Sequence, residues 1–437
     1  MFGKTQRNRS GRRRRLTIGV TMVVAASMTL AGCGSDSDSE SSGGGQASAT
    51  SNLTGEPIKV MTIASGTGQL DPHPEILKTA EMYGDWINEH GGIGGRPLEV
   101  ITCDEADDAN KAAACARKAV DEGVVATVGS YTLNGESVVP VLEQANTSEF
   151  GICCAIVASE LDSPVVQQLG AGLAMQSGMA VKAAADGCKN TVWIGSDAGA
   201  TTDLQVSLAK SGLKSMGAAP LKDVIRIPLK AQDYSAQVTQ ALKGSDCLIS
   251  PIPEASLAPF LSAFASQGGD QRIYGLQGLL NENVAKQFPE QTDGAVVTGM
   301  YQDLSSPAYA DLREAIKQYK PSSDLAFNSI GALGAWAAYA EFTSVVEGIQ
   351  GPLNHDTFLA AAQKHVSTFP GVAPGIDFAQ SYDGLGGAFK NQVNRSITYS
   401  VIKDGKITPF ADGAFYDMTA SMAGTPIPAS STPPAGD

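Results

Sequence analysis

Residues 86–101 read WINEHGGIGGRPLEVI, and the fold follows from how this stretch divides. Before it, Ile76, Ala80, Tyr83 and Ile87 recur at helical spacing, which predicts a helix over 75–90 with one apolar face. Gly91, Gly92, Gly94 and Gly95 end that helix, because glycine enters left-handed backbone conformations without a steric penalty. The run PLEVITC at 97–103 then reads as a strand. The glycines follow a helix instead of opening one, so they form a turn and not a phosphate cradle.

Moving outward, the same alternation fills the chain. Strands are predicted at 57–64, 124–129, 151–157 (GICCAIV), 190–195, 222–228, 246–251, 272–276 and 294–300. Between them lie helices at 108–121, 135–146, 164–186, 202–216, 234–243, 255–268 and 281–288. After residue 306 the chain turns mainly helical, at 307–319, 325–348 and 356–365, and a strand pair at 397–402 and 406–410 closes it. The strands are short and apolar without alternation, as strands buried on both faces are. The predicted class is α/β, with parallel sheets covered by helices on each side. Single cores stop growing near about 250–300 residues, so two doubly wound parallel-sheet lobes are expected instead of one wide sheet. Ligands of open parallel sheets sit at the strands' carboxyl ends, so two facing lobes would make a cleft.

The chain has 437 residues, 43% hydrophobic and 17% charged, which is a globular balance. Its net charge of −14 is unevenly placed. The first 32 residues hold seven basic groups (Lys4, Arg7, Arg9 and Arg12 to Arg15) and no acid, which leaves 24 basic against 45 acidic residues for the remainder. A body that acidic is a poor general binder of nucleic acid or anionic lipid.

The basic start is followed by apolar and small residues at 16–32 and then by Leu30-Ala31-Gly32-Cys33. This arrangement resembles the lipobox of bacterial lipoproteins. The resemblance implies that 1–32 is a signal peptide and that Cys33 becomes a diacylated N-terminus. Residues 33–55 are polar and Gly/Ser-rich, too poor in apolar groups to fold, and would tether the body over about 25–28 Å. The expected location is the outer face of a bacterial cell membrane. With Pro426, Pro428, Pro433 and Pro434, residues 421–437 read as a loose tail.

The order of segments, the WINEHGGIGGRPLEVI run, the Cys103-Asp104-Glu105 strand end and the ARKAV and VVATVGSYTLNGES runs at 116–120 and 124–137 together resemble the type I periplasmic binding proteins. Within them, the substrate-binding lipoproteins of branched-chain amino acid ABC transporters are the nearest group. The resemblance covers about 56 to 410. It implies two lobes joined by a three-strand hinge, with 56–172 and 301–370 in the first lobe and 173–300 and 371–420 in the second. It also implies hinge closure on a small ligand and delivery to a membrane permease, by a monomer without a cofactor.

Carried over residue by residue, the family's contact positions fall on Asp71 and His73 after strand 1, on Tyr131, Thr132 and Asn134 after strand 3, and on Ala155 and Val157 after strand 4. In the second lobe and crossover they fall near Thr201, Gln277 and Phe327, and Glu254 follows a strand end. Three of these depart from the family pattern. Val157 donates no side-chain hydrogen bond, Thr201 cannot stack on a ligand, and Gln277 cannot supply the charge that holds an ammonium. A buried ammonium without a counter-charge costs several kcal/mol, so either Asp71 or Glu254 substitutes, or the ligand is an amide, a small carboxylic acid or an aromatic acid instead of an ordinary branched-chain amino acid.

Exported proteins meet an oxidising space, so the remaining cysteines are candidates for disulfides. Cys103 ends a strand and Cys115 lies on the next helix, while Cys188 and Cys247 open strands of one lobe; the pairings 103–115 and 188–247 are expected. Cys153-Cys154 is either a vicinal disulfide or a pair of buried thiols. With four histidines and no CxxC, no metal site is expected. The acidic cluster Asp104, Glu105, Asp107 and Asp108 reads as a solvated helix start. There is no Walker loop, HExxH or GxSxG. The expected function is therefore binding and not catalysis: a solute receptor of an ABC importer. The alternatives are a ligand sensor of the same fold and, further off, an exported α/β hydrolase.

Overall fold

The opening motif is explained by one side chain. Asn88, near the end of the first helix, donates from Nδ2 to Leu98 O at 2.9 Å and accepts from Leu98 N at 2.8 Å, which fastens the start of the next strand to the helix. The intervening glycines carry positive φ, 102° at Gly91 and 65° at Gly92, and Gly92 N returns to Ile87 O at 2.8 Å. The computed structural model describes residues 53–153, 157–228, 231 and 233–436.

The first sheet contains β1 (Ile58–Ala64), β2 (Leu98–Asp104), β3 (Ala126–Val128), β4 (Ser148–Ile152) and β5 (Val166–Gln168), all parallel, in the order β2-β1-β3-β4-β5. Helices α1 (Pro74–Glu89), α2 (Ala109–Asp121), α3 (Gly135–Gln144) and α4 (Ala158–Asp162) connect these strands. The second sheet is built from β6 (Thr191–Ser196), β7 (Asp223–Ile227), β8 (Cys247–Ile249), β9 (Arg272–Leu276) and β10 (Val296–Gly299), with β11 (Ser396–Lys403) and β12 (Lys406–Pro409) added antiparallel. Its order is β12-β11-β10-β9-β8-β6-β7, and the short β13 (Tyr416–Asp417) pairs with β11.

The second lobe's helices are α5 (Gly172–Ala185), α6 (Ala200–Ser215), α7 (Ser235–Leu242), α8 (Glu254–Ser266), α9 (Glu282–Gln287) and α10 (Pro289–Thr292). Then α11 (Ala310–Tyr319), α12 (Ile330–Gly348) and α13 (His355–Ala362) return to the first lobe, and α14 (Thr419–Met422) ends on the second. These are two α/β lobes with mainly parallel sheets, as the sequence predicts. Helices α5 and α12 are buried nearly all round, so neither shows the polar stripe of a surface helix. The disulfides Cys103–Cys115 and Cys188–Cys247 are both present. Among the described residues no helix is long and apolar enough to cross a membrane. The expected signal peptide and Cys33 lie outside the described residues.

Three crossings join the lobes, after β5, after β10 and before β11. Amide side chains tie two of them together. Gln168 Nε2 donates to Gln392 Oε1 at 3.1 Å, Gln392 Nε2 to Gly170 O at 3.2 Å and Asn394 Nδ2 to Leu169 O at 2.9 Å, all fully buried or nearly so. A Cβ at Gly170 would stand 1.4 Å from Cys153 O, so only glycine fits that crossing.

Four expectations need correction. The segment predicted as a helix over 164–186 divides into β5 and α5, because Gly170 and the polar crossing interrupt it. The fourth strand covers Ser148–Ile152 and not 151–157; its polar residues Ser148 and Glu149 are buried, which hides it from a hydropathy reading. Residues 371–393 stay with the first lobe instead of the second. Asn391 Nδ2 donates to Glu160 O and Ser163 O, Lys390 pairs with Asp162 at 2.7 Å, and Phe378 N donates to His365 O. Finally, the 421–437 tail is docked, not loose, through residue 436. Ile427 N donates to Ser215 O at 3.2 Å, Ser431 is buried, and Gly436 N donates to Asp186 Oδ1 at 2.8 Å. Prolines there limit regular structure to the end of α14 and a single 3-10 turn at Ala429–Ser431, but they do not prevent packing.

Candidate functional site

Strand order reverses between β1 and β3 in the first sheet and between β6 and β8 in the second, and ligands bind at such switch points. The loops that leave these four strands face one another across a cavity of about 620 Å³. The first lobe contributes residues 70–76 and Tyr131, and the second contributes the start of α5, Thr201 on α6, Pro253 and the loop after β9. The segment from Asp324 to Gly331, which leads into α12, lies along the same cavity.

Its polar centre is a triad from the loop after β1 and the first turn of α1. His73 Nε2 lies 3.2 Å from Asp71 Oδ1, and His73 Nδ1 lies 3.0 Å from Glu75 Oε1. Tyr131 Oη donates to Asp71 Oδ2 at 2.8 Å, and the Tyr131 and His73 rings meet edge to face, 5.1 Å apart. Ser329 Oγ donates to Glu75 Oε1 at 3.0 Å, which brings the segment before α12 to the same carboxylate. Burial works against a charged imidazole, but the hydrogen bonds to Asp71 and Glu75 outweigh it and push His73 up to about 10. Burial also opposes the Asp71 carboxylate, and His73 with Tyr131 holds it below the usual range nonetheless. At neutral pH His73 is thus an imidazolium set between the carboxyl groups of Asp71 and Glu75.

The acidic cluster behind the loop braces it. Asp104 Oδ1 accepts from Gly66 N at 2.8 Å and Ala106 N at 2.9 Å, Asp107 Oδ2 accepts from Leu70 N at 2.6 Å, and Asp108 caps α2. Glu105 receives Thr132 Oγ1 at 3.0 Å and Asn134 Nδ2 at 2.9 Å.

The expected contact residues therefore separate. Asp71, His73, Tyr131, Thr201 and Gln277 line the cavity. Thr132 and Asn134 do not; they face Glu105 and support the wall from behind. Gln277 turns its amide to the backbone, donating to Tyr301 O at 3.2 Å and accepting from Met300 N at 3.2 Å. Phe327 is buried in the core, and Val157 precedes α4; neither lines the cavity. Ala155 and Cys154 lie outside the described residues, and Glu254 opens α8. Cys153 lines the cavity and is disulfide-bonded. Sequence reasoning misses Glu75, Gln176 and Ser329. Glu75 resembles any first-turn acid, Ser329 is the N-cap of α12, and Gln176 sits on a helix whose polar residues show no periodic signal.

A family profile described as "Periplasmic binding protein" matches residues 57–388. Among solved structures, the fold is similar to that of an ABC-transporter solute-binding protein from R. palustris in complex with 4-hydroxybenzoate. That match has 19% identity and a TM-score of 0.66, covering 81% of this chain and 96% of the other. It is similar also to the branched-chain amino acid substrate-binding protein LivJ from Streptococcus pneumoniae in complex with isoleucine, at 17% identity and TM-score 0.65, over 80% and 98% of the chains. A third is the leucine-binding protein LivK from Thermotoga maritima, at 18% and 0.63, over 81% and 98%. No curated protein matches the chain at a significant level.

Proposed function

This chain belongs to the periplasmic binding protein family, and from that premise we propose that it is the extracytoplasmic solute receptor of an ABC importer. It captures a small organic solute, of amino-acid or aromatic-acid size, in the cleft between its lobes. Asp71, His73, Tyr131 and Thr201 are the proposed side-chain contacts, with the β9 loop around Gln277 offering backbone. Ligand that touches both lobes favours the closed form by its differential affinity for that form. The three crossings absorb the rotation, and a membrane permease reads the closed shape. Cys33 carries the lipid that keeps the receptor at the membrane. Binding leaves the solute's covalent bonds unchanged.

The observation that supports this reading most is the cavity at two facing switch points. A volume of about 620 Å³ lies within the range of small-molecule sites. Solved structures of the same fold hold isoleucine and 4-hydroxybenzoate, which supports a solute of that scale. Thermal-shift screening against amino acids, amides, short acids and aromatic acids tests the proposal. A true ligand at a hundredfold excess over its Kd adds about 2.7 kcal/mol of stability and contracts the particle in solution scattering. Turnover of any hit, or a hit without contraction, would refute it. Metabolic labelling with palmitate, lost in Cys33→Ala, tests the anchor separately.

A further inference from the structure

We propose that the cleft selects its solute by a head group that is cationic or donates N–H, namely an ammonium or a primary amide on an apolar body, and that Asp71 and Glu75 receive it. The inference deepens the solute-receptor reading and rests on it.

The charge inventory of the cavity carries the argument. Among the described residues that line it there is no lysine or arginine, whereas Asp71, Glu75 and Asp324 are acidic. The one cationic ring, His73, is not available to a ligand carboxylate, because its two nitrogens face Asp71 and Glu75. One imidazolium between two carboxylates leaves a net negative charge at that wall. The groups behind it do not reverse the sign. Among the described residues, Asp104 and Asp107 accept only from backbone amides and the Thr67 hydroxyl, and the side chains that donate to Glu105 are Thr132 and Asn134, neither of them basic. A ligand carboxylate brought to this wall would meet Asp71 and Glu75 at short range and be repelled.

An independent observation comes from the other lobe. Gln176 on α5 lines the cavity, is only 6% exposed, and its Oε1 has no hydrogen-bond partner among the described residues. A buried carbonyl oxygen left without a donor is costly, and a ligand N–H would supply one. Helix starts favour anions, and those of α5, α6 and α8 also meet the cavity, but α1's carries Glu75 itself, and α12's is served by the Ser329 hydroxyl, which accepts from Ala332 N at 3.1 Å and in turn donates to Glu75. Most of the remaining wall is apolar, formed by Ile76, Leu161, Met175, Leu204 and Leu276 among others, and suits a hydrocarbon body, with Thr201, Gln205 and Asn283 as polar exceptions. The counter-charge missing at Gln277 is thus found on the opposite lobe.

The test uses purified full-length protein and matched compounds. Isopentyl, cyclohexylethyl and phenylethyl bodies are each offered as the amine, the primary amide and the carboxylate, by melting shift and then calorimetry. At least one body should bind as amine or amide, with its carboxylate at least about tenfold weaker. Glu75→Gln should weaken the amine by about tenfold or more while the unliganded variant still melts cooperatively; if that variant does not fold, Asp71→Asn takes its place. A carboxylate that binds as well as its amine would overturn the head-group assignment and leave the receptor reading standing. Silence across all three series would overturn the proposal too, and the broader screen described above would judge the receptor reading on its own.

Discussion

Replacing His73 with glutamine is expected to remove a pH-dependent clamp. In the folded chain the ring is held between Asp71 and Glu75 and titrates at about 10, against an ordinary value of 6.5. Because the folded state binds the proton more tightly than the unfolded state, the stabilisation is complete below about pH 6.5 and fades as the pH climbs through about 10. Each tenfold of proton affinity corresponds to about 1.4 kcal/mol, so the clamp contributes about 3–5 kcal/mol at pH 6, the upper figure being reduced by the ring's residual contact with water. That contact is modest, since the side chain keeps 19% of its surface exposed. Urea unfolding of the two proteins from pH 6 to pH 10.5 measures it. The comparison is needed because tyrosines and lysines also titrate at the alkaline end. The stability difference should shrink from about 3–5 kcal/mol at pH 6 to about 1 kcal/mol or less at pH 10.5. A difference that stays flat with pH, or a His73 ring that titrates near 6.5 in the folded protein by NMR, would refute the reasoning.

Glu341, fully buried on α12, accepts from Phe369 N at 2.6 Å and Thr368 N at 2.9 Å and pairs with His365 at 2.6 Å. Glu341→Gln should cost about 3–5 kcal/mol in chemical denaturation, because it leaves His365 and two amides short of an anion. Burial opposes its ionised form, yet His365 and Ser367 hold Glu341 below the usual range. Its contribution is therefore present above about pH 4.5 and lost as the pH falls through the lowered folded value, and wild type should show that acid limb while the variant does not. The Cys103→Ser/Cys115→Ser replacement should lower stability by about 3 kcal/mol for so short a loop, read as a drop in Tm without change of fold by circular dichroism. At the crossing, Gly170→Val places atoms on Cys153 O and should cost about 3 kcal/mol or more, whereas Gly187→Ala, at an open turn, should cost about 1 kcal/mol; matched unfolding curves would expose an error if the two costs were equal.

Much of the fold was legible because its signals are local. The glycine turn after Trp86, the spacing of Ile76, Ala80, Tyr83 and Ile87, and the apolar strands such as VVATVG each report on a few neighbouring residues. Disulfide partners could be named because Cys103 and Cys115 flank one strand-to-helix turn. The errors share a cause. β5 has only Val166–Gln168, and two of its three residues are buried glutamines. Gln168 donates to Gln392, far along the chain, and Gln167 accepts from Ser148 on the neighbouring strand. Glu149 is buried in β4, where burial beside Glu160 pushes its carboxyl well above the usual range. A residue type says nothing about such partners.

The sequence by itself determined the alternation of strand and helix, the division into two parallel-sheet lobes, the family resemblance and the loops at which ligand contacts would lie. Tertiary structure alone decided which of those loop residues face the cavity and what charge they present there. Thr132 and Asn134 turn back to Glu105, Gln277 serves the backbone, and Glu75 joins Asp71 around His73. The physical reason is range. Helix and strand preferences act over a few residues, whereas the charge state of a group such as His73 is set by whatever the fold brings within a few ångströms, from elsewhere in the chain as well as from its neighbours.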